Sequence, residues 1–395
     1  MIFFNKTWHA ICIYSSVKNK NISYSISVLL LLIFAVGCSG ITKVTDVITN
    51  PSARQVYARE FKDNQAVYND WNAAYESAIG DSLSVPLPYG ERGAFNAVED
   101  HVYSYNVQLQ EGEVLIAGID KDSVHQRVFI DIFQKRDKEY QKVESASLNA
   151  SGLVYSAKTT GIYKVIIQPE MAADTNFFIS LNKKPLYDVF PVAGKGNTAI
   201  GSFWGMERDG GKRSHEGIDI FAKKGTPVVA VTSGIVNYTG EKGIGGKQVW
   251  LRDSDFGSSL YYAHLDSIKA TLGAKVSVGD TLGFVGNTGN ARFTPAHLHF
   301  GIYRNSGAVN PLPFVFKNDI VTIKEFTKSQ KGDVLKIKSA TANLRLMPDA
   351  KAAKLGELKA NDVVQLLGES KEWLHVKTAL GLSAFVHKSL VGSAK

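Results

Sequence analysis

The stretch from His215 to His299 decides the fold of this chain, and within it stand His215-Glu216-Gly217-Ile218-Asp219, Ala263-His264-Leu265 and His297-Leu298-His299. These motifs place four histidines and one aspartate in a segment otherwise rich in Gly, Val and Ile. Such residues favour β-strands, in which side chains two or four positions apart share a face. His297 and His299 satisfy that spacing. We therefore expect a site that can bind a metal or move a proton.

The pair His215-Glu216 also begins like a helical HExxH zinc motif. Asp219 stands where that motif has its second histidine, and Gly217 is a poor helix residue. The residues that follow, Ile218 to Phe221, are typical of a strand. The helical motif is therefore rejected.

Zinc fits the composition of this cluster. A catalytic zinc takes three protein ligands from histidine and carboxylate and keeps a fourth position for water. The cluster offers one carboxylate and four imidazoles, so three groups can bind the metal and two can handle protons. It contains no cysteine, which argues against a closed structural zinc site.

Residues 1–37 are predicted to be an export signal. Lys18 and Lys20 precede an apolar run over residues 28–36, which is shorter than the roughly 20 residues of a comfortable membrane span. Ala35-Val36-Gly37-Cys38 resembles a bacterial lipoprotein processing box, which implies lipidation of Cys38. An uncleaved membrane anchor is the alternative, and both place the remainder outside the cytoplasm. Residues 38–50 are predicted to be a tether. Cys38 is followed by Ser39 rather than Asp, which by analogy with known lipoproteins implies the outer membrane, facing the periplasm.

The formal charge of +8 suits an anionic polymer or a membrane surface as partner. No nucleic-acid-binding motif accompanies it, so no nucleic-acid partner is predicted. The two cysteines, Cys12 and Cys38, leave no pair after cleavage at Cys38, which excludes a disulfide framework.

Two accessory regions precede the histidine cluster. Residues 51–80 predict one amphipathic helix, opened by a capping box at Ser52 and closed at Gly80, with an aromatic stripe that we interpret as packing surface. Residues 93–182 change to a period of two, which predicts an antiparallel β-sandwich. This segment resembles the jelly-roll accessory domains that precede some secreted bacterial peptidases. A spacer role and the binding of a carbohydrate or partner both stay open.

Residues 333–392 predict a small β-rich unit. It contains Ala342-Asn343-Leu344-Arg345, Glu372-Trp373-Leu374-His375-Val376 and Ala384-Phe385-Val386-His387. The unit resembles the bacterial SH3 domain, with Leu344 in place of the usual Val and Ala384-Phe385 in place of Gly-Trp. Wall binding and a merely structural cap are the two roles that this resemblance implies.

Residues 188–316 form the predicted catalytic domain, since the histidine cluster resembles that of the lysostaphin-like zinc endopeptidase family. The resemblance also rests on Gly225-Thr226-Pro227-Val228, Tyr262-Ala263-His264-Leu265, Gly286-Asn287-Thr288-Gly289 and Pro295-Ala296-His297-Leu298-His299-Phe300. Members of this family cleave peptide bonds of bacterial peptidoglycan. Every motif position is filled. Gly225 to Ala230 and Val278 to Leu282 also look like half-motifs of biotinyl and lipoyl carriers, but the lysine that carriers need at the turn is missing.

The family resemblance implies His215, Asp219 and His299 as ligands of one Zn²⁺ ion, with His264 and His297 as the catalytic pair. The expected fold is mainly β and multidomain: an N-terminal helix, an antiparallel β-sandwich, a lysostaphin-like antiparallel β-sheet peptidase domain and a small SH3-like barrel. The expected function is that of a lipid-anchored zinc metalloendopeptidase that hydrolyses peptidoglycan cross-links, with D-Ala–diaminopimelate bonds preferred to glycine bridges. The alternative is a non-enzymatic wall-binding scaffold or an activator of a separate cell-wall amidase.

Overall fold

The computed structural model describes residues 51–97, 102–123, 125–148, 150–322 and 334–394. The predicted export signal, Cys38 and the predicted tether lie outside the described residues. Within the described ranges, no helix combines the length and the apolar character that crossing a membrane requires. The described residues divide into two units, with the boundary between Glu60 and Phe61.

The first unit contains helix α1, Ala53–Ala58. A 3₁₀ turn follows at Arg59–Phe61, and its last residue is the first of the second unit. The predicted capping box is confirmed, because the Ser52 hydroxyl accepts a hydrogen bond from the Gln55 amide at 3.3 Å and the Gln55 side chain accepts one from the Ser52 amide at 2.8 Å. The prediction of a single helix over 51–80 is wrong. Asn64 has φ −140° and ψ 59°, outside the helical region, and helix α2, Gln65–Ile79, begins after it. Asparagine competes with helical hydrogen bonding and favours such a break.

Helix α2 lies in the second unit and packs on the β-sandwich. Trp71 and Tyr75 are buried, and the Trp71 indole donates a hydrogen bond to the Pro169 carbonyl at 2.9 Å. The Tyr75 hydroxyl donates one to Asp131 at 2.8 Å. The aromatic stripe of the helix is therefore packing surface, as predicted.

Among its described residues, the sandwich contains eight strands in two four-stranded layers. They are β1 (Tyr89–Ala94), β2 (Tyr103–Leu109), β3 (Glu113–Lys121), β4 (Val128–Arg136), β5 (Glu139–Ser145), β6 (Gly152–Ser156), β7 (Gly161–Pro169) and β8 (Asn176–Pro185). The order is β1-β8-β3-β6 in one layer and β2-β7-β4-β5 in the other. This is the strand order of a jelly roll, and aromatic and aliphatic side chains of both layers share one core.

The domain that carries the histidine cluster is a second antiparallel sheet. Its elements are β9 (Ile200–Ser202), β10 (Glu207–Arg208), β11 (Arg213–Ser214), β12 (Ile218–Phe221), β13 (Pro227–Val229), β14 (Gly234–Glu241), β15 (Lys247–Asp253), β16 (Ser259–Ile268), β17 (Lys275–Val276), β18 (Thr281–Val285), β19 (His297–Arg304), β20 (Gly307–Val309) and helix α3 (Leu312–Val315). The main order is β17-β14-β15-β16-β19-β12-β9, while β10 and β11 form a separate hairpin. One face buries a core that includes Tyr262, Leu298 and Phe300. Alternation along the strands leaves His299 on the opposite face.

Residues 334–394 form a small β-unit with its own core. Its strands are β21 (Val334–Ile337), β22 (Thr341–Arg345), β23 (Lys354–Lys359), β24 (Val363–Ser370), β25 (Trp373–Thr378), β26 (Ser383–His387) and β27 (Val391–Ser393). Strand β24 pairs with β1 of the sandwich, with Arg92 opposite Glu369 and Gly93 opposite Gly368. This pairing, which the sequence did not predict, joins the two domains in one 11-stranded sheet. The mainly β fold class is confirmed.

Candidate metal centre

His215 and Asp219 come together because a short link turns the chain into strand β12. His215 lies in the link between β11 and β12, and Asp219 is the second residue of β12. Gly217 stands between them, and a Cβ atom there would lie 2.5 Å from Cε1 of His299. Only glycine therefore fits at this position, which explains its place in the motif.

His299 joins this pair across the sheet. It lies on β19 directly opposite Asp219 on β12, and opposite Ala263 on β16. The His215 Nε2, Asp219 Oδ1 and His299 Nδ1 atoms form a triangle with each side 3.0 Å. Zinc bound to such atoms at about 2.0–2.1 Å in a tetrahedral arrangement needs them roughly 3.3 Å apart. The three donors have the chemistry and spacing that fit this ion.

Hydrogen bonds from neighbouring groups orient the His215 ring and the Asp219 carboxylate, so that their donor atoms point to the centre of the triangle. The Nδ1 atom of His215 is 2.8 Å from the Phe203 carbonyl, so it carries the proton and leaves the Nε2 lone pair free for a metal. The second carboxylate oxygen of Asp219, Oδ2, accepts a hydrogen bond from Nη2 of Arg208 at 3.1 Å. Arg208 lies on the β10–β11 hairpin, and no signal in the sequence identified it.

The protonation states of the triangle suit a metal. Burial raises the pKa of Asp219, but the hydrogen bonds and charges of His215 and His299 outweigh burial and lower that pKa far below its ordinary value. Burial lowers the pKa of His299, and Asp219 opposes this only in part. At neutral pH the centre therefore presents a carboxylate and a neutral imidazole, the forms that bind zinc.

His264 and His297 stand beside the triangle. Their ring centroids are 5.1 Å apart, and the His264 ring is 5.9 Å from that of His299. The Nδ1 atom of His264 is 2.9 Å from the Thr288 carbonyl, and that of His297 is 2.8 Å from the Pro295 carbonyl. Each ring thus uses Nδ1 as a donor to the backbone, which leaves Nε2 able to accept a proton.

The backbone around His264 is specialised. His264 has φ 61°, in the left-handed region that residues other than glycine rarely occupy and that is found at functional sites. Thr288 supports this conformation, because its hydroxyl donates a hydrogen bond to the Leu265 carbonyl at 2.9 Å while its own carbonyl faces His264. Burial, followed by the charges of His297 and His299, lowers the pKa of His264 to about 4. His264 is therefore a neutral base at neutral pH.

The five predicted residues all line one groove of about 540 Å³. Tyr261 and Tyr303 line it as well, and the Tyr261 ring is 5.7 Å from that of His299. Burial, followed by the charges of Tyr303 and Tyr238, raises the pKa of Tyr261 to about 12, so its hydroxyl stays protonated. Strand alternation could have found Tyr261, which stands two residues before Ala263 on the same face.

Two segments of the chain match known domain families. Residues 213–311 match Peptidase family M23, and residues 340–392 match the bacterial SH3 domain. The chain therefore contains an M23 peptidase domain, with all five histidine and aspartate residues of the site inside it, followed by a bacterial SH3 domain. The resemblance of the histidine cluster to the lysostaphin-like peptidase family and that of residues 333–392 to the bacterial SH3 domain are confirmed.

Several known proteins are similar to part of this chain. The chain is 36% identical over 126 residues to an L-Ala–D-Glu endopeptidase of Bacillus subtilis, which covers 30% of this chain and 38% of the relative. It is also 36% identical over 127 residues to the DD-carboxypeptidase/endopeptidase Mpg of Neisseria meningitidis, over 31% of this chain and 29% of the relative. Lysostaphin of Staphylococcus staphylolyticus is 36% identical over 106 residues, over 26% of this chain and 22% of the relative.

These matches span well under half of each relative's length. Among solved structures, the catalytic domain of the antimicrobial peptidase lysostaphin from Staphylococcus simulans is 34% identical, with a TM-score of 0.27, over 29% of this chain and 89% of that domain.

Proposed function

We propose that this protein is a zinc metalloendopeptidase that hydrolyses peptide cross-links of bacterial peptidoglycan. The observation that carries the proposal is the convergence of the His215, Asp219 and His299 donor atoms at 3.0 Å beside two further imidazoles in one groove. The presence of an M23 peptidase domain supports it.

His215, Asp219 and His299 would hold one Zn²⁺ ion. Bound there, zinc supplies Lewis-acid chemistry, polarising a scissile carbonyl and acidifying water. The protein's own contribution to proton transfer comes from His264 and His297, whose Nδ1 atoms are fixed by backbone carbonyls. The Nε2 atom of one imidazole takes the proton of the attacking water and returns it to the leaving amine. The other donates a hydrogen bond to the oxygen on which negative charge develops.

The substrate class follows from the relatives and from the second domain. L-Ala–D-Glu and DD bonds, which the names of two relatives specify, are bonds of peptidoglycan stem peptides. The bacterial SH3 domain would hold the wall while the groove cleaves it. We propose D-Ala–diaminopimelate cross-links as the scissile bonds, since an outer-membrane lipoprotein faces a directly cross-linked wall.

Lipidation of Cys38 would tether the enzyme to the outer membrane on its periplasmic side. This part of the proposal rests on the apolar run and the Ala35-Val36-Gly37-Cys38 sequence. Radiolabelled fatty acid should enter the wild-type chain in cells and should not enter a Cys38→Ala variant. Equal labelling of both chains would rule out the anchor.

The activity is tested with isolated peptidoglycan and a purified chain that begins at Ser39. We expect release of soluble muropeptides, loss of release on treatment with a chelator, and recovery on addition of zinc. His264→Ala should lower the rate by about 10²–10⁴-fold, the usual contribution of a general base, while zinc stays bound. Cleavage that survives both the chelator and His264→Ala would refute the proposal.

The same experiment separates the enzyme from a scaffold or amidase activator. A scaffold would bind peptidoglycan, release nothing by itself and accelerate an added cell-wall amidase. The complete donor triangle at 3.0 Å favours the enzyme.

A further inference from the structure

The open face of the peptidase sheet carries a row of aromatic side chains that the proposed reaction does not use. Tyr238 on β14 pairs with Trp250 on β15, and Trp250 pairs with Tyr261 on β16. Residues directly opposite each other in antiparallel strands share a face, so this row stands on the face of His299. Tyr303 on β19 belongs to the same face. We call Tyr238, Trp250, Tyr261 and Tyr303 the aromatic platform.

The platform is continuous with the metal centre. The ring centroids of Trp250 and Tyr261 are 4.5 Å apart with planes inclined by 31°, and those of Trp250 and Tyr303 are 5.1 Å apart. Tyr261 then meets the His299 ring edge to face at 5.7 Å. A ligand bound on Tyr238 and Trp250, on β14 and β15, would therefore lie on the same face of the sheet as His299 on β19.

Polar groups border the outer end of the platform. Asn237, Lys242 and Gln248 line a shallow depression together with Tyr238 and Trp250. Asn237 and Lys242 are exposed, whereas Gln248 is buried and its amide donates a hydrogen bond to the Lys242 carbonyl at 3.2 Å. The depression thus combines half-buried aromatic rings with amide and ammonium groups at its edge.

This combination matches one part of peptidoglycan. A sugar ring has a face of C–H bonds, which packs on an aromatic ring, and a rim of hydroxyl and amide groups, which needs hydrogen-bond partners. We propose that the outer end of the platform, at Tyr238 and Trp250, binds an N-acetylhexosamine ring of the glycan strand while the attached stem peptide enters the metal groove. The inference rests on the proposed function, because the proposed substrate, peptidoglycan, joins sugar and peptide in one polymer.

Two substrates with the same peptide test the inference. One is a cross-linked muropeptide dimer that keeps its disaccharides, and the other is the same dimer with the sugars removed by an amidase. The wild-type chain should cleave the sugar-bearing dimer with a kcat/KM about tenfold higher, the effect of one stacked ring worth about 1.4 kcal/mol. Tyr238→Ala should bring the ratio of the two kcat/KM values close to one, whereas Tyr238→Phe, which keeps the ring, should preserve it.

Phe256→Ala is the matched control, since Phe256 is an exposed aromatic side chain of the same domain that lines neither the groove nor the depression. Its ratio should equal that of the wild type. Thermal unfolding checks the fold of each variant, and Tyr238→Leu replaces Tyr238→Ala if the latter is destabilised. A wild-type ratio of one, or a Tyr238 variant that lowers both kcat/KM values equally, would overturn the inference.

A binding measurement keeps this inference separate from the peptidase proposal. A tetramer of N-acetylglucosamine is titrated into the His264→Ala chain, and its Kd should rise about tenfold when Tyr238→Ala is added. If the wild type cleaves neither dimer but binds the tetramer through Tyr238, the peptidase proposal fails and the sugar site stands. If both dimers are cleaved at equal rates and the tetramer does not bind, the sugar site fails alone.

Discussion

In the part of the chain that the structure describes, two places bring a buried histidine and a carboxylate within 3.0 Å of each other. One is the triangle of His215, Asp219 and His299, and the other is the pair Glu91–His375 where the sandwich meets the SH3 domain. Both places have the same histidine–carboxylate distance, but they differ in the hydrogen bonds around the carboxylate, in the number of donor atoms and in access to a groove.

At the domain junction the protein itself occupies both carboxylate oxygens of Glu91. Glu91 is fully buried on β1, and its second oxygen accepts hydrogen bonds from the hydroxyls of Tyr89 and Tyr105. His375 on β25 donates from Nδ1 to Glu91 and packs against the Phe385 ring at 5.3 Å. Gly368 makes room for Glu91, since a side chain there would overlap the carboxylate. This network is a structural device that fastens β1 to the SH3 sheet.

The triangle differs in the number and direction of its donors. Three atoms from three residues converge on one point, and a groove opens beside them. A histidine next to a carboxylate is therefore weak support for a metal site. Convergence of three donors with an open side is what distinguishes a candidate metal centre from a buried hydrogen-bonded pair.

The largest expected difference is in metal content. Asp219→Ala should reduce bound zinc from about one ion per chain to background, because two imidazoles alone make an incomplete ligand set. Cleavage of peptidoglycan should fall at least about 10³-fold, since the Lewis-acid contribution is worth several kcal/mol and each 1.36 kcal/mol is a factor of ten. Elemental analysis of the purified chain measures zinc. If Asp219→Ala still bound about one zinc ion per chain, the triangle would not be the metal site, and the proposed difference between the two regions would be wrong.

Glu91→Ala should lower the stability of the fold and leave the zinc content unchanged. It leaves His375 and two tyrosine hydroxyls buried without their acceptor, and we expect a loss of about 3–5 kcal/mol in the free energy of unfolding, as for other broken buried pairs. Zinc bound by the folded chain should stay at the wild-type level. Denaturant unfolding and calorimetry measure the free energy of unfolding. Elemental analysis measures the zinc bound by the folded chain.

The control for Glu91→Ala is Glu372→Ala, which removes an exposed carboxylate paired with Lys388 at 2.6 Å. An exposed pair of this kind contributes less than about 1 kcal/mol. Equal destabilisation by the two substitutions would show that the junction network is not what fastens the domains.

A change of one methyl group tests the packing of the triangle. Gly217→Ala would place Cβ 2.5 Å from Cε1 of His299, so the ligand ring must move. We expect zinc affinity, measured by competition with a chromogenic chelator, to fall by about 100-fold, at the upper end for disturbed ligand orientation. Gly196→Ala in the same domain meets no atom within 4 Å and should leave the affinity unchanged. Wild-type affinity in Gly217→Ala would mean that His299 can shift without leaving the metal.

The comparison also shows which features a sequence reveals. The histidine cluster was predictable because its residues stand in short motifs, and the resemblance of those motifs to a known peptidase family implied His215, Asp219 and His299 as metal ligands. The junction was not predictable, because it pairs Arg92 with Glu369 across a large part of the chain and leaves no local pattern. The break at Asn64 was missed because the aromatic stripe keeps helical spacing on both sides of it. Arg208 was missed because nothing in a two-residue strand indicates its partner.

Arg208 provides the smallest expected effect and the sharpest test of orientation. Its hydrogen bond to Oδ2 of Asp219 fixes the carboxylate, but its positive charge also opposes the binding of a cation nearby. Loss of such a supporting partner usually costs 10–100-fold in metal affinity. We therefore expect the orienting effect of Arg208 on Asp219 to outweigh its repulsion of the cation, so that Arg208→Gln weakens zinc binding by about tenfold. Arg208→Lys keeps the charge without the planar fork and should weaken it as well. Arg213→Ala is the control, since this arginine of the same hairpin pairs with the exposed Asp209 at 2.9 Å. Tighter zinc binding in Arg208→Gln would show instead that charge repulsion dominates, and that Asp219 is already held by the two histidines.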